Sequence, residues 1–168
     1  MYGIPDNLQS ADEYLGPLWF FVNFVTLTIL GREVPGMNEE EIIKIVLNEA
    51  LYIHKTIGPG MLENVYKTCL AYRLQKHGLL VETEKAVPVF FEEVRMDCGY
   101  RADIVVEKLV IVDTKTIECI GPLQIAQLLT YLRFLNMRYG LILNFNVLLL
   151  KDGIKRVLNG FENQKKIY

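Results

Sequence analysis

Two apolar runs stand almost side by side in the middle of the chain, and they constrain the fold more than any other feature. The first covers residues 102–106 and the second residues 109–112, with Glu107 and Lys108 between them. Short runs rich in valine and isoleucine, separated by a brief polar stretch, are typical of neighbouring β-strands. The second run shows no polar alternation, which indicates a strand covered on both faces. The two runs therefore predict a hairpin in the interior of a sheet.

Charged side chains interrupt this hairpin. Asp103 lies in the first strand, and Asp113 and Lys115 lie at the end of the second. A charge removed from water is costly unless it is paired or bound to a metal. Because alternate residues of a strand point to one face, Asp113 and Lys115 share a face. The three side chains together predict a site for a divalent metal ion.

One shared ion requires the two carboxylates to lie on the same side of the sheet. A two-residue turn at Glu107 and Lys108 would pair Asp103 with Val112 and direct its carboxylate to the wrong face. We therefore expect a bulge, or a connection with an odd number of residues centred on Lys108, which places Asp103 opposite Asp113. Two acids that share an ion beside a lysine suit phosphodiester hydrolysis, because the ion polarises the phosphoryl oxygen and acidifies bound water.

The periodicity of the flanking sequence predicts the remaining elements. Apolar residues at helical spacing predict a helix over residues 38–54. The Gly-Pro-Gly stretch at residues 58–60 should break it, and a second helix is predicted over residues 62–76 with its end at Gly78. Gly121 with Pro122 opens a third helix that ends near Leu135. Strands are predicted over residues 87–91, 94–106 and 109–116 as an antiparallel meander, and over residues 139–145, 147–150 and 154–158.

Composition bounds the number of domains and the partners. With 168 residues, of which 51% are apolar, the chain has material for one ordinary domain, which we assign to residues 38–168. A net charge of −2 offers no overall attraction to nucleic acid, so a phosphate-binding surface must be local or borrow charge from a metal. The thiols Cys69, Cys98 and Cys119 have no zinc-site spacing. They predict buried thiols in a reducing compartment, which we take to be the cytoplasm. No role is assigned to His54 or His77.

Residues 1–37 form an apolar N-terminal extension of different character. Residues 18–30 carry no charge, but this run is shorter than the roughly 20 residues that cross a bilayer. Acidic residues precede it where a secretion signal would carry positive charge. A membrane anchor is therefore disfavoured against a short element that covers the main domain or an extension without a chemical role. Exposed apolar surface on this segment would favour a homo-oligomer.

Three motifs in order resemble the PD-(D/E)XK nuclease superfamily. Asp103 is followed after nine residues by Asp113-Thr-Lys115, and the stretch from Gly60 through Glu63 to Tyr66 matches the Gly-x-x-Glu-x-x-Tyr signature of one group within that superfamily. A further element, Gln127-x-x-x-Tyr131, resembles the exonuclease-like branches. The resemblance implies an α/β fold of the restriction-endonuclease-like class, with an αβββαβ core and a mixed sheet flanked by helices. It also implies Mg²⁺ or Mn²⁺ as cofactor and nucleic acid, either DNA or RNA, as partner.

The resemblance also implies roles for individual residues. Asp103 and Asp113 would bind the metal, Glu63 would contact the metal or its water, and Lys115 would be the catalytic lysine. Gln127 and Tyr131 would steady the substrate or the active-site lysine. Independently of the resemblance, Arg101 is a candidate for positioning the substrate, because it lies beside the predicted core strands and arginine is a natural partner of phosphate. Two positions depart from the usual pattern: Asp113 stands where glutamate is commoner, and Ala102 stands where proline often precedes the first aspartate.

Each of these residues also has a purely structural interpretation. Glu63 suits the first turn of any helix, Asp103 can pair with Arg101, and Asp113 can pair with Lys115 on a half-exposed strand. Gln127 and Tyr131 can simply pack against the sheet. Three hypotheses follow: a metal-dependent nuclease, a non-cutting module of the same fold that binds nucleic acid or protein, and a membrane-associated protein that uses residues 18–30.

Overall fold

The computed structural model describes residues 36–96 and 99–160 of the chain. Two helices come first, α1 (Glu39–Ile57) and α2 (Glu63–Lys76), and a third, α3 (Pro122–Phe134), follows the fifth strand. The strands are β1 (Val81–Ala86), β2 (Val89–Phe91), β3 (Val94–Met96), β4 (Arg101–Val106), β5 (Val110–Lys115), β6 (Tyr139–Asn144) and β7 (Ile154–Leu158), with a short 3-10 helix (Leu150–Gly153) before β7. No helix in the described residues is long and apolar enough to cross a membrane. The apolar run 18–30 lies outside them.

Local sequence signals account for the helix boundaries. The side chain of Asn38 accepts a hydrogen bond from the backbone N–H of Glu41 at 3.0 Å, and Glu41 accepts one from the N–H of Asn38 at 2.9 Å. This reciprocal cap fixes the start of α1. Pro122 stands in the first turn of α3, where its missing N–H leaves no helical bond unmade. The three predicted helices are confirmed, with α1 extending three residues beyond the predicted end to Ile57.

Five strands form a mixed sheet in the order β1-β4-β5-β6-β7. The pair β5–β6 is parallel, and the pairs β1–β4, β4–β5 and β6–β7 are antiparallel. Strands β2 and β3 form a separate two-stranded hairpin. If that hairpin is set aside, the order from α2 to β6 is αβββαβ, as the resemblance implies.

Both faces of the sheet are covered by helices. Side chains of α1 and α2 pack on one face, and those of α3 pack on the other. The sheet residues on the first face are Ile104, Val106, Val110, Val112, Leu141 and Leu143. Those on the second face are Val105, Ile111, Ile142 and Val157. Strand β5 is buried on both sides, as its unbroken apolar run predicts.

The meander differs from its prediction at both of its first strands. The edge strand of the main sheet is β1, not residues 87–91, and the predicted strand 94–106 is divided into β3 and β4. Strand β1 has the sequence Val-Glu-Thr-Glu-Lys-Ala and is largely exposed, so apolar periodicity does not reveal it. Pro88 follows it and lacks the N–H that a paired strand requires, which separates β1 from β2. The turn predicted at Glu92 and Glu93 is present.

The strand predicted over residues 147–150 is also wrong. This stretch is a loop that leads into the 3-10 helix, with Leu148 89% exposed and Leu150 only 2% exposed. The carbonyl oxygen of Val147 lies 2.8 Å from the Nε2 of His54, which ties the loop to α1. A run of four apolar residues is too short for its periodicity to distinguish a strand from a loop. The strand predicted over residues 154–158 is confirmed as β7.

Of the cysteines and histidines, the structure describes Cys69, Cys119, His54 and His77. Cys69 is half-buried and Cys119 is exposed, so the prediction of buried thiols is wrong for Cys119, which lies in the loop after β5. Cys98 lies outside the described residues. His77 pairs with Glu49 at 2.6 Å. Both histidines therefore make structural contacts, and their chemistry is not needed to explain the site.

Candidate active site

The connection between β4 and β5 fixes which side chains face each other. Val106 pairs with Val110 and Ile104 with Val112, so three residues, 107–109, form the connection. Glu107 and Lys108 both adopt the left-handed conformation, with φ of 52° and 57°. The odd-count connection centred on Lys108 is therefore confirmed. The paired residues end at Ile104 and Val112, so the expected position of Asp103 opposite Asp113 stays a prediction.

Asp103 lies at a distortion of the sheet. The β1–β4 pairing includes every partner from Val81 to Ala86 except Glu84, which would face Asp103 and which has a φ of 51°. Ala102, which strict alternation would place beside Ile104, packs instead with Val105 on the opposite face. A non-glycine residue in the left-handed region is strained and is often found at functional sites. The distortion frees the side chain of Asp103 from the regular pattern of the strand.

The carboxylate of Asp103 has specific partners at each oxygen. Oδ2 accepts hydrogen bonds from the backbone N–H and from the Oγ1 hydroxyl of Thr114, both at 2.9 Å. Oδ1 lies 3.7 Å from the Nζ of Lys67. The paired residues of β4 and β5 end at Ile104 and Val112, so Asp103 binds the backbone of β5 beyond the regular ladder. The side chain is held at the point where the two strands separate.

Asp113 is a buried acid with one close cation. It is 4% exposed, and the Nζ of Lys115 lies 2.8 Å from both of its carboxylate oxygens and donates a hydrogen bond to Oδ1. Oδ2 is buried without a hydrogen-bond partner. Burial raises the pKa of Asp113, the charge and hydrogen bond of Lys115 oppose this, and the charges of Asp103 and Glu63 add to the rise, so that the pKa stands at about 6. Oδ2 is therefore the oxygen of Asp113 that a ligand could bind without displacing a hydrogen bond from the protein.

Lys115 stays a cation in this environment. Burial acts to lower its pKa, but the charge and hydrogen bond of Asp113, with smaller contributions from Asp103 and Glu63, outweigh burial and raise that pKa. The side chain is 17% exposed. A positive charge is therefore fixed beside the unpartnered oxygen of Asp113.

Helix α2 brings two more charges to the site. Glu63 lies in its first turn, half-buried, and its charge acts on both Asp113 and Lys115. Lys67 follows one helical turn later, forms an ion pair with Glu84 and approaches Asp103. Sequence reasoning missed Lys67. Its spacing of four residues from Glu63 was the available signal, because residues four apart share a helix face.

Tyr66 explains the third position of the Gly-x-x-Glu-x-x-Tyr pattern. Its ring is buried and stacks on Phe145, with the ring centroids 4.4 Å apart. Its hydroxyl donates a hydrogen bond to the carbonyl oxygen of Gly58 at 2.6 Å and accepts one from the N–H of Met61 at 3.1 Å. These contacts hold the loop before α2, in which Gly60 has a φ of 100°. The tyrosine thereby fixes the turn from which Glu63 projects.

Helix α3 contributes Gln127 and Tyr131. The Nε2 of Gln127 donates a hydrogen bond to the hydroxyl of Tyr131 at 2.9 Å, so the predicted sharing of a helix face is observed. Burial raises the pKa of Tyr131, the hydrogen bond from Gln127 opposes this, and the charges of Asp113 and Lys115 act on it in opposite directions. Tyr131 therefore lies within electrostatic range of the acid and lysine of β5.

Arg101 lies at the start of β4. It is exposed, and its Nη1 donates a hydrogen bond to the carbonyl oxygen of Glu84 at 3.1 Å. Its predicted contact with substrate stays a prediction.

The donor set fits a hard divalent cation in part. Within residues 36–96 and 99–160, no three His, Cys, Asp or Glu side chains are placed so that they could hold a metal ion. Asp103 and Asp113 nevertheless offer carboxylate oxygens from adjacent strands, and Oδ2 of Asp113 is unpartnered. Mg²⁺ is commonly bound through one or two carboxylates while it keeps several waters. The two carboxylates are therefore ligands of the type that Mg²⁺ binds. The assignment of Glu63, Asp103 and Asp113 to a metal stays a prediction.

These features define a class of protein before any comparison is made: a mixed sheet between helices, with two acids and a lysine where its two central antiparallel strands separate. The family model of the PD-(D/E)XK nuclease superfamily matches residues 40–157, which begin in α1 and end in β7. The chain belongs to the PD-(D/E)XK nuclease superfamily. No curated protein and no solved structure matches it. Membership of the Gly-x-x-Glu-x-x-Tyr group stays a prediction.

Proposed function

We propose that the protein is a divalent-metal-dependent nuclease that hydrolyses phosphodiester bonds of DNA or RNA at the site formed by Asp103, Asp113 and Lys115. One observation supports this most strongly. Asp113 keeps a buried carboxylate oxygen without a hydrogen-bond partner, although Lys115 lies 2.8 Å away. A buried carboxylate is expensive to maintain for stability alone, whereas metal binding and phosphoryl chemistry both require it. Membership of a nuclease superfamily supplies the reaction class.

In this proposal Asp103 and Asp113 hold Mg²⁺ or Mn²⁺, and Glu63 contacts the ion or one of its waters. A bound ion would polarise the phosphoryl oxygen and lower the pKa of a water molecule. Thr114 orients Asp103 through two hydrogen bonds at 2.9 Å, so the carboxylate needs little rearrangement to act as a ligand. The charges of the two acids also explain why two lysines lie close by.

Lys115 acts on the substrate rather than on the ion. Its ammonium group is held beside Asp113 and is only partly exposed, so its charge is weakly screened. In that position it can orient the attacking water or offset negative charge that develops on the phosphoryl oxygens. Gln127 and Tyr131, joined by a hydrogen bond of 2.9 Å, would steady the strand on the α3 side of the site.

A cleavage assay tests the proposal. Purified protein is incubated with labelled DNA and RNA oligonucleotides, single-stranded and duplex, in Mg²⁺, in Mn²⁺ and in chelator. We expect cleavage that requires the metal and falls at least about a hundredfold in Lys115→Ala and in Asp113→Ala. Matched controls are Lys155→Ala and Asp152→Ala, because both residues are exposed and lie outside the site. Equal rates in the site variants and the controls would refute the assignment.

One observation favours a second candidate, a module that binds without cutting. Both acids are already engaged by protein groups, Asp113 by Lys115 and Asp103 by Thr114 with Lys67 nearby. A site whose acids already have partners within the protein can serve as a scaffold for binding nucleic acid or a protein partner. Such a module would retain gel-shift binding in chelator and in Lys115→Ala and would cleave nothing with either metal.

A further inference from the structure

An apolar groove lies next to the candidate site. It has a volume of about 510 Å³, and the residues that form its walls include Val87, Tyr100, Leu123, Gln127, Tyr131 and Phe134. Two of these, Gln127 and Tyr131, are the hydrogen-bonded pair of α3 already placed beside the acids. Tyr100 immediately precedes β4, the strand that carries Asp103, and Tyr131 packs in the same core cluster as Ala102. The groove therefore lies beside the site, on the face of the sheet that α3 covers.

Two aromatic rings give the groove its chemical character. Tyr100 and Tyr131 have ring centroids 6.2 Å apart, with an angle of 59° between the ring planes. Tyr100 is 50% exposed and Leu123 is 76% exposed, although both carry large apolar groups. Exposed aromatic and aliphatic surface beside a polar site is typical of ligand recognition. The exposed Gln127 amide and Thr130 hydroxyl add polar atoms at the rim.

We propose that this groove takes one unpaired nucleobase of the substrate strand, stacked on the half-exposed ring of Tyr100 beside the largely buried ring of Tyr131, and that the protein therefore prefers single-stranded or locally unpaired nucleic acid. The inference rests on the proposed function, since it deepens the substrate class of the same site. Every base has an aromatic face, so stacking of this kind tolerates any sequence. A base within a duplex is already stacked on its neighbours and must be extruded before it can enter a groove, which disfavours duplex substrate.

The geometry of the groove supports a base over a phosphate. The groove walls are mainly apolar, and none of the described residues that line them is charged. The lysines of the site, Lys67 and Lys115, are instead paired with acids. A backbone phosphate belongs at the charged end and a base at the apolar end. Because the groove borders the strand that carries Asp103, a single nucleotide can place its base in the groove and its phosphate at the acids.

Binding measured without cleavage tests this inference separately from the proposed function. The affinity of the full chain for a fluorescently labelled single strand, its duplex and an abasic strand of equal length is measured by anisotropy in chelator. We expect the single strand to bind at least about tenfold more tightly than the duplex or the abasic strand. Tyr100→Ala should weaken single-strand binding about five- to tenfold. This lies at the low end for stacking, because only about half of the Tyr100 side chain is accessible to a base.

Matched variants keep this interpretation specific. Tyr100→Phe retains the ring and should bind like wild type, and Tyr72→Ala removes a tyrosine that is 59% exposed on α2 and should change nothing. A strand that carries 5-iodouracil should crosslink on irradiation to Tyr100 or Tyr131. Equal affinity for the three nucleic acids would overturn the inference, and so would the same single-strand affinity in Tyr100→Ala as in Tyr72→Ala. An apolar peptide would then be the occupant of the groove to test.

The two proposals fail in different ways. Tyrosine-dependent binding of single strands without cleavage in either metal would remove the nuclease proposal and keep the base groove. Metal-dependent cleavage that is equally fast on duplex and single strand, and unaffected by Tyr100→Ala, would remove the base groove and keep the nuclease proposal.

Discussion

Asp113 and Lys115 form an ion pair that is mostly removed from water, with side-chain exposures of 6% and 17%. The desolvation cost of such a pair often equals or exceeds the attraction between its members. For Asp113 the balance is unfavourable, since its pKa is raised from 3.8 to about 6. Between those two values the folded chain binds more protons than the unfolded chain, so this group lowers the free energy of unfolding as pH rises toward about 6. Above that pH Asp113 is ionised in the folded chain, and the full desolvation cost of its charge lowers the free energy of unfolding.

Lys115→Met should therefore destabilise the protein in a pH-dependent way. Without its cation Asp113 is an unpaired buried charge, and its pKa should rise further. At pH 8 we expect a loss of about 3 kcal/mol in the free energy of unfolding, and a smaller loss at pH 5, where the carboxyl is protonated. Urea unfolding at both pH values measures this. Lys155→Met, at an exposed position of β7, serves as the control. A loss that is equal at the two pH values would show that Asp113 does not depend on Lys115.

The sequence predicted this pair but not the full surroundings of Asp103. Alternation along one strand suffices to place Asp113 beside Lys115, and the need for a shared ion suggested the three-residue connection that the register confirms. Lys67 was missed because its approach to Asp103 depends on Glu84, whose left-handed conformation interrupts the β1–β4 pairing. No propensity predicts a left-handed glutamate inside a strand, since that conformation arises from tertiary contacts.

At the scale of elements, the loop before α2 controls where Glu63 lies. Tyr66→Phe removes only the hydroxyl that binds Gly58 and Met61. It leaves two backbone groups without their partner, and we expect a loss of about 1–2 kcal/mol in stability. The amide hydrogen of Met61 should exchange faster with solvent, which hydrogen-exchange mass spectrometry detects.

Tyr72→Phe is the matched control for this variant, because Tyr72 lies on the same helix and its ring is 59% exposed. If Tyr66→Phe and Tyr72→Phe were equally stable and showed the same exchange at Met61, the hydroxyl of Tyr66 would not hold the loop.

The loop between β6 and β7 supports the other end of the site. Gly153 lies so close to this loop that an added Cβ would stand 2.2 Å from the carbonyl oxygen of Asn144 and 3.0 Å from Val147. The side chain of Asn144 in turn binds the N–H and the carbonyl oxygen of Ile117, two residues beyond Lys115. A clash at Gly153 should therefore disturb the chain that follows Lys115.

Gly153→Ala should destabilise the protein by at least about 2 kcal/mol, because the clashing atom belongs to the backbone and cannot rotate away. Thermal unfolding measures the loss. Gly160→Ala is the control, since an added Cβ there meets nothing within 4 Å. If the two variants melted at the same temperature, the close approach of Gly153 to Asn144 would be wrong.

Apolar patterns predicted some elements, and glycine or proline at their boundaries predicted others. Helix α1 and strands β5 and β6 follow from their apolar patterns, whereas α2, α3 and β7 follow from the turn and helix-end signals beside them. Strand β1 is polar and lies at the sheet edge, and its residues show no alternation to detect. The stretch 147–150 is apolar but forms a loop, because a run of four apolar residues carries no usable period.

At the scale of the whole molecule, the fold brings charge from separate segments to one point. Helix α2 supplies Glu63 and Lys67, strand β4 supplies Asp103, and strand β5 supplies Asp113 and Lys115. Three of these five charges are negative and the net charge of the chain is −2, so attraction to nucleic acid at this point must come from a bound metal. The domain boundary at residue 38, a cytoplasmic location and a homo-oligomer formed through residues 1–37 stay predictions.

The central claim is that Asp103 and Asp113 together hold one divalent cation. Titration calorimetry with Mn²⁺ near pH 7.5 tests it on the chain itself, without the interference that a trace of contaminating nuclease causes in a cleavage assay. We predict one bound ion per wild-type chain, an affinity at least about tenfold weaker in Asp103→Asn and in Asp113→Asn, and wild-type affinity in the exposed control Asp152→Asn. Binding of Mn²⁺ with the same affinity in all four proteins, or in none of them, would contradict the account.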